Sequence, residues 1–535
     1  MLKHVVLLSG HVSAGKSTLA RALSERFSAK VLRTKDFLLD YAPRTKHRRD
    51  SLQRVGEKLD RNTNGGWVAR ELAKALGMLN TEPAIVIMDA VRIKEQIDGV
   101  RQAYGPLVTH IHVDAPVEVL AKRYKERNSD IQELKSYDEV LRNKTERLVG
   151  RLNEVADVVI DTARCTAEDV VVRAASYLRL YGQSSDRLVD LVIGGQYGSE
   201  GKGHVASYIA REYDIFIRTG GPNAGHTIYN HPEATKVHQL PSGTARKEDA
   251  QLMLAPGSVL DVQGLLAEIA QLRVDKDRLS IDPQAMVIET KDLKVEQALV
   301  ASIGSTGKGV GSATARRILQ RGNPELRLAR DVPELKPYVR ATSPLLERAY
   351  AEQKKILLEG TQGTALSLYH GEYPFVTSRD TSASGCLAEA GIAPTRVRRI
   401  IMVCRTYPIR VQSPPNGTSG RIGQELTWNE VAARSGIDVN ELLKRERTTT
   451  TNRQRRVAEF DWQLFQKAVL LNGPTDIALT FTDYLTLKNR LARRFDQLDP
   501  ETIQFINELE RVARTPVSLI STRFHYRSII DRRAW

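Results

Sequence analysis

Residues Gly10–Ser17 read GHVSAGKS and Gly194–Gly203 read GGQYGSEGKG, and each follows an apolar run and opens a helical pattern. A glycine-rich turn between a buried strand and a helix aims several backbone N–H groups at a phosphate, and its lysine neutralises charge. Two such loops predict two nucleotide-handling modules. In the first, Gly10 and Gly15 belong to the phosphate-cradling turn, Lys16 reaches the transferring phosphates and Ser17 a magnesium ion. Asp89 ends the run AIVIMD, where it would orient magnesium or water, or else cap the helix that begins near Val91. Asp36 stands where a phosphate acceptor could be recognised, or in a solvated loop. Arg123 and Arg127, at i and i+4, suit a lid over phosphates or a solvated helix face.

The second loop combines Glu200 and Lys202 with the backbone of Gly198, Gly201 and Gly203. Downstream, RTGGPNAGHT (218–227) carries Asn223 and His226 in a glycine-rich bend. A histidine beside a phosphate can act as a general acid, because its pKa lies near the working pH. The segments EGTQGT (359–364) and YPFVTSRDTSASG (373–385) offer hydroxyls and amides for ribose and phosphate. In TTTTNRQRR (448–456), Arg453 and Arg455 form a clamp for a dicarboxylate, with a charged solvated loop as the alternative. IGSTGKGVG (303–311) reads as a further ligand loop.

These residues require two α/β systems to position them. Residues 1–181 alternate strand and helix, with strands expected at HVVLLSG, AKVLRT, AIVIMDAV, LVTHIHVDA and DVVIDT. The polar stretch from Pro116 to Leu148 reads as helical. GQSSD (182–186) is the linker, and a larger domain runs over 187–535. The expected fold class is two P-loop-containing α/β domains. At 535 residues, 41% hydrophobic and 27% charged, the composition is that of a multidomain globular protein rather than a disordered chain. Neither a membrane span nor a signal peptide is read. Cys165, Cys386 and Cys404 are too scattered for a disulfide framework, and a reducing cytoplasm fits. The net charge of +15 suits small anionic substrates gripped by arginine forks better than nucleic acid, since no nucleic-acid-binding motif accompanies it.

Residues 3–175 resemble the nucleoside monophosphate kinase-like branch of P-loop proteins, through the P-loop, the AIVIMDAVRIKEQIDGVRQAYG segment and the arginine-bearing lid. The resemblance implies magnesium-dependent transfer of the ATP γ-phosphoryl group, with Lys16, Ser17, Asp89 and the lid arginines carrying it.

Residues 187–535 resemble the adenylosuccinate synthetase family. GGQYGSEGKG, GGPNAGHT, LPSG (240–243), GSTGKGVG (304–311), EGTQGT, HGEYPFVTS (370–378) and TTNRQRR (450–456) fall in that family's order. The family joins L-aspartate to C6 of IMP with GTP and magnesium: it phosphorylates the purine oxygen, then lets the aspartate amine displace the phosphate. The resemblance implies a general acid at His226, charge neutralisation at Lys202, and a magnesium contact from the backbone of Gly225. It implies monophosphate binding by Asn223, Thr306, Gln362 and Thr377, with Arg316 or Arg317 reaching in from a second subunit. It further implies aspartate binding by Thr450, Thr451, Arg453 and Arg455, base reading by Asp483, a base-bordering loop at Ser521, and a homodimer.

Three departures matter. The family loop carries an aspartate, the N1 base and magnesium ligand, where this chain has Ser199; serine is a poor base without an activating neighbour. Phe481 replaces a lysine beside the base-reading aspartate, and Arg523 and Phe524 replace glycine and proline. The pattern is similar to compact archaeal and phage-type relatives, including those that act on dGMP to make 2-aminoadenylosuccinate nucleotides. IMP or (d)GMP thus stand open as acceptor, and GTP, ATP or dATP as donor. The contrasting expectation is a non-catalytic nucleotide-binding regulator.

Overall fold

A computed structural model describes residues 2–43, 49–79, 81–126, 134–182, 186–230, 233–448, 453–525 and 527–534. The chain divides into two compact units, residues 1–182 and 183–535. No helix among the described residues is long and apolar enough to cross a membrane.

The first unit is built on five parallel strands, β1 (His4–Ser9), β2 (Lys30–Arg33), β3 (Ile85–Asp89), β4 (Val108–Asp114) and β5 (Val158–Asp161), in the order β2-β3-β1-β4-β5. Its central strands are continuous apolar runs because helices cover both faces. Along β1 the side chains alternate: Val6 and Leu8 join the layer of Leu19 and Leu23, whereas Val5 and Leu7 join that of Trp67 and Leu72. Helices α1 (Lys16–Phe27), α2 (Thr34–Tyr41), α3 (Arg49–Thr63), α4 (Trp67–Gly77) and α5 (Lys94–Tyr104) carry those partners. The P-loop leaves β1 where the chain's neighbours diverge to β3 on one side and β4 on the other, the crevice in which open α/β sheets bind ligands.

The polar stretch expected as helical from Pro116 to Leu148 is broken. Val117–Lys125 is a helix, but Tyr137–Leu141 and Lys144–Leu148 are separate short ones. The cause is local: Ser136 Oγ accepts from the Glu139 amide and Asn143 Oδ1 from the Glu146 amide, so each polar side chain restarts the chain as an N-cap.

The second unit contains a nine-stranded sheet. Its strands include β6 (Val189–Gly194), β7 (Ile215–Arg218) and, after a hairpin of β8 (His226–Asn230) and β9 (Glu233–Val237), β10 (Gln251–Leu254). From one edge the order is Leu279–Ile281, β10, β7, Ile356–Glu359, β6, Val397–Arg405, Asp476–Thr480, Val517–Ser521 and Ile529–Asp531. All pairings are parallel except the last. The apolar run MVIET contributes only Met286–Val287, paired with Val259–Leu260 outside this sheet. A small antiparallel sheet places Arg455–Ala458 between Ile409–Val411 and Glu425–Leu426, which seats Arg455 at a strand start.

Candidate active sites

In the first unit a cavity of about 700 Å³ opens above the P-loop and is lined by Gly15, Lys16, Ser17, Asp89 and Arg123 among others. Gly10 has φ +130°, and a Cβ there would stand 1.8 Å from the Val113 carbonyl oxygen, so the turn requires glycine. Lys16 Nζ donates to the carbonyls of Gly10 and His11 at 2.8 and 2.6 Å. Ser17 Oγ donates to Asp89 Oδ2 at 2.8 Å, which brings together the hydroxyl and carboxylate expected to hold magnesium. Such a pair fits Mg²⁺, which takes few protein ligands and fills its octahedron with phosphate and water oxygens. The capping alternative for Asp89 is excluded, because α5 begins at Lys94 with Ile93 as its N-cap. Arg123 donates to the hydroxyl and carbonyl of Thr162 at 2.9 and 3.0 Å. Arg127 lies outside the described residues. Asp36 sits exposed in the first turn of α2 and does not line the cavity, a correction to its expected place beside the acceptor.

In the second unit a cavity of about 640 Å³ gathers Gly198, Ser199, Gly201, Lys202, Gly203, Asn223, Gly225, His226, Thr306, Gln362, Thr377, Arg453, Arg455 and Asp483. Glu200 is a correction. Its carboxylate turns away from the cavity and accepts from the amides of Gln196 and Gly198 at 3.0 and 2.8 Å, while its other oxygen pairs with Lys202 at 2.7 Å. Two loop amides expected to meet phosphate are thus held by the chain's own carboxylate. Ser199 has φ 58° and is exposed to the cavity, its hydroxyl without a hydrogen bond among the described residues. Gly203 lets the loop helix approach β8, since a Cβ there would stand 2.7 Å from that of His226.

His226 begins β8 and is buried. Its Nδ1 lies against Glu359 Oε1, and Ser242 donates its hydroxyl and amide to the same carboxylate at 2.5 and 2.7 Å. Burial, reinforced by the Arg218 charge, pushes the imidazole pKa down. Against the cost of burial, His226, Arg218 and Ser242 hold Glu359 ionised. Before substrate binds, His226 is therefore neutral, with its Nδ1 proton toward Glu359 and Nε2 remaining for the cavity. The sequence did not single out Glu359; its signal was a lone carboxylate ending the apolar strand ILLE.

Arg455 donates to Glu446 Oε2 at 3.1 Å, Arg405 and Tyr484 donate to Oε1 at 2.8 and 2.7 Å, and the Arg405 guanidinium lies 4.0 Å over the Phe481 ring. Burial opposes ionisation of Glu446, but Arg405 and Arg455 outweigh it and bring its pKa to about 2. Glu446 thereby anchors Arg455, one arm of the expected clamp, while Arg453 forms no side-chain ion pair among the described residues. Thr450 and Thr451 lie outside them. Asp483 accepts from Arg490 at 3.4 Å on Oδ2, and burial raises its pKa to about 6 against the charges of Arg490 and Arg445. Phe524 lines the cavity and packs on His204 with ring centroids 5.2 Å apart.

Several buried polar atoms of this cavity have no hydrogen-bond partner among the described residues: Asn223 Oδ1, Thr306 Oγ1 and Asp483 Oδ1. Arg316 and Arg317, expected to reach into a second subunit's site, do not line the cavity of their own chain. Arg316 is buried and pairs with Asp292 at 2.7 Å. Arg317 donates to the Pro256 carbonyl at 2.9 Å, and Ser521 donates to that of Arg523 at 3.0 Å. In the GSTGKGVG loop, Glu296 accepts from the amides of Gly309 and Gly311 at 2.7 and 2.6 Å, so its C-terminal half faces an internal carboxylate rather than a ligand. Its N-terminal half, Gly304 to Thr306, lines the cavity.

The sequence profile of the family described as adenylosuccinate synthetase matches residues 191–331 and 326–492, and that of an AAA domain matches residues 5–149. The adenylosuccinate synthetase of Methanocaldococcus jannaschii is 37% identical over 351 residues, covering 64% of this chain and 96% of its own. That of Pyrococcus horikoshii is 36% identical, covering 64% and 98%. Among solved structures, the fully ligated enzyme of Plasmodium falciparum superposes with a TM-score of 0.56 at 20% identity, over 65% of this chain and all of its own (100%). The succinoaminodeoxyadenylate synthetase of cyanophage S-2L, bound to dGMP and to dATP as an energy donor, superposes with a TM-score of 0.55 at 27% identity, over 65% and 96%.

Proposed function

Because the chain belongs to the adenylosuccinate synthetase family, we propose that residues 183–535 join L-aspartate to C6 of a 6-oxopurine nucleotide, IMP or (d)GMP, using GTP or ATP. The observation that carries this reading is the set of unpartnered buried atoms, Asn223 Oδ1, Thr306 Oγ1 and Asp483 Oδ1, in one cavity with His226 and Lys202. Buried polar groups left without partners are costly, and a bound nucleotide would satisfy them.

In the proposed reaction the purine N1 proton passes to a substrate phosphate oxygen or to water as O6 attacks the γ-phosphorus, the bond from that phosphorus to the β–γ bridging oxygen breaks, and the nucleoside diphosphate leaves. Lys202 and a proton on His226 Nε2 balance the charge that builds on the phosphoryl oxygens. The amine of aspartate, held through its carboxylates by Arg453 and Arg455, then attacks C6 and expels phosphate. Magnesium, when bound, adds Lewis-acid stabilisation of the phosphoryl group. With Ser199 in the loop and Gly225 offering a backbone carbonyl, substrate oxygens would furnish most of its ligands. The family's homodimer is part of the proposal.

Ser199 favours an acceptor bearing a 2-amino group, because its hydroxyl can accept from that N–H and its small, uncharged side chain leaves room at the C2 edge. The dGMP bound by the cyanophage relative supports the same choice. The test supplies magnesium, aspartate and either GTP or ATP with IMP, dIMP, GMP or dGMP in turn. Aspartate-dependent phosphate release is expected, fastest with a 2-amino acceptor. Nucleotide binding without release from any acceptor would leave the chain a regulator.

For residues 1–182 the proposal is magnesium-dependent transfer of the ATP γ-phosphoryl group, carried by Lys16 and the Ser17–Asp89 pair.

A further inference from the structure

One wall of the first unit's cavity is formed by α3 and by the segment Asn143–Glu146 that the N-caps create. Three carboxylates stand there, each with one oxygen committed to protein donors. Glu57 Oε1 accepts from Asn143 Nδ2 at 2.9 Å and Thr145 Oγ1 at 3.4 Å. Asp60 Oδ1 accepts from Trp67 Nε1 at 2.7 Å and Gln96 Nε2 at 2.8 Å. Glu146 Oε1 accepts from Arg92 Nη1 at 2.6 Å. The second oxygens, Glu57 Oε2, Asp60 Oδ2 and Glu146 Oε2, make no hydrogen bond among the described residues. Glu146 is itself 3% exposed, and its Oε2 is fully buried. Gln53 lines the same wall with its Nε2 buried and unpartnered.

Ionised carboxylate oxygens are acceptors without a donor. Together they ask for O–H or N–H groups. Cations line the cavity as well: Lys16 in the phosphate loop, Arg33, Lys35 and Arg49, together with Arg92, which donates to Glu146, and Arg123, which donates to Thr162. Burial opposes ionisation of Glu146, yet Arg92, Lys16 and Arg49 outweigh it and hold its pKa below the usual range. Glu146 and Lys16 line the same cavity. A nucleotide phosphate acceptor, already ionised, needs no base; an alcohol does.

We propose that residues 1–182 phosphorylate a neutral alcohol rather than a nucleotide phosphate, with Glu146 Oε2 taking the hydroxyl proton and Glu57 and Asp60 holding neighbouring O–H or N–H groups of the acceptor. The inference rests on the kinase reading of this unit and names its substrate class. The acceptor oxygen forms a bond to the γ-phosphorus, the bond from that phosphorus to the β–γ bridging oxygen breaks, ADP leaves with magnesium, and the proton passes from Glu146 to water. Acceptors of this class are sugars, polyols and nucleosides.

The test presents the full chain with magnesium and ATP to nucleosides, hexoses and polyols, to nucleoside monophosphates, and to water alone. Formation of ADP with an alcohol phosphomonoester, and none with monophosphates, is the expected result. Transfer to monophosphates but not to alcohols overturns the proposal and leaves the kinase reading standing; no transfer to any acceptor removes both. On the alcohol so found, Glu146→Gln keeps the oxygen that accepts from Arg92 and is expected to lower kcat on the order of 10²–10⁴-fold with little change in KM. Glu57→Gln is expected to raise KM instead. A kcat for Glu146→Gln within threefold of the parent, in protein with an unchanged melting profile, overturns the base assignment.

Discussion

A neutral imidazole at position 226 can still deliver a proton if substrate changes its field. Nucleotide phosphates bring negative charge to the Nε2 side, while Glu359 remains ionised on the Nδ1 side, so the imidazolium becomes favourable when both flanks are anionic. His226→Asn keeps a polar side chain but removes the transferable proton, and should lower ligation on the order of 10²–10⁴-fold while aspartate KM changes little. Steady-state kinetics on the productive acceptor measure this directly. Asp483 gives a pH prediction with opposite signs for two donors. Its pKa of about 6 means that the carboxylate is ionised at pH 7 and gains a proton as pH falls through that value. In its proposed base-reading role the ionised carboxylate would accept from the N1–H and 2-amino groups of guanine, whereas the protonated form would present a donor to them. The KM for GTP should therefore rise as pH falls from 7 to 5, whereas an adenine donor, whose N1 accepts, should show no such rise. Donor KM measured across that range, with acceptor saturating, separates the two. A GTP KM that is flat with pH would remove Asp483 from base recognition.

At the scale of elements, the phosphate loops were legible because glycine, lysine and hydroxyl residues at fixed spacing beside an apolar run encode their own geometry. The strands HVVLLSG and AIVIMDAV were read for the same reason, since burial on both faces leaves a continuous apolar signature. What the sequence hid were single carboxylates. Glu359, Glu446 and Glu146 acquire meaning through partners distant in sequence, as in Arg405–Glu446 or Arg92–Glu146. Glu200 and Glu296 were hidden differently: Glu200 closes on amides of its own glycine loop and Glu296 on those of the glycine loop that follows it, so donors counted for a ligand are partly used by the protein. The break at Asn143 was written in a capping residue, but a long polar stretch masked it. Gly10 supplies the prediction at this scale. Gly10→Ala places a methyl 1.8 Å from the Val113 carbonyl oxygen at a φ that disfavours side chains. It should destabilise the first unit by about 1–3 kcal/mol or more. Calorimetry should show one transition moving to lower temperature while a second, belonging to residues 183–535, stays in place; a shift of both would mean that the units unfold together.

For the molecule as a whole, the question is whether two phosphate-handling units on one chain act as two engines. Each unit has its own apolar layers, Val6 and Leu8 with Leu19 in the first and Val189 and Leu191 with Leu358 in the second, and each has its own lysine at a helix start. Covalent linkage raises the effective concentration of one unit's product at the other but does not make their chemistries interdependent. Lys16→Ala removes the ammonium proposed to neutralise transferring phosphates in the first unit and leaves the residues lining the second unit's cavity unchanged. It should abolish phosphoryl transfer by residues 1–182 and leave aspartate ligation within about twofold of the parent, and His226→Asn should do the reverse. Both reactions are assayed on both variants, with melting profiles recorded to exclude unfolding. If Lys16→Ala silences ligation in folded protein, nucleotide bound at the first loop must bias the second, and the two sites form one coupled system rather than two independent ones.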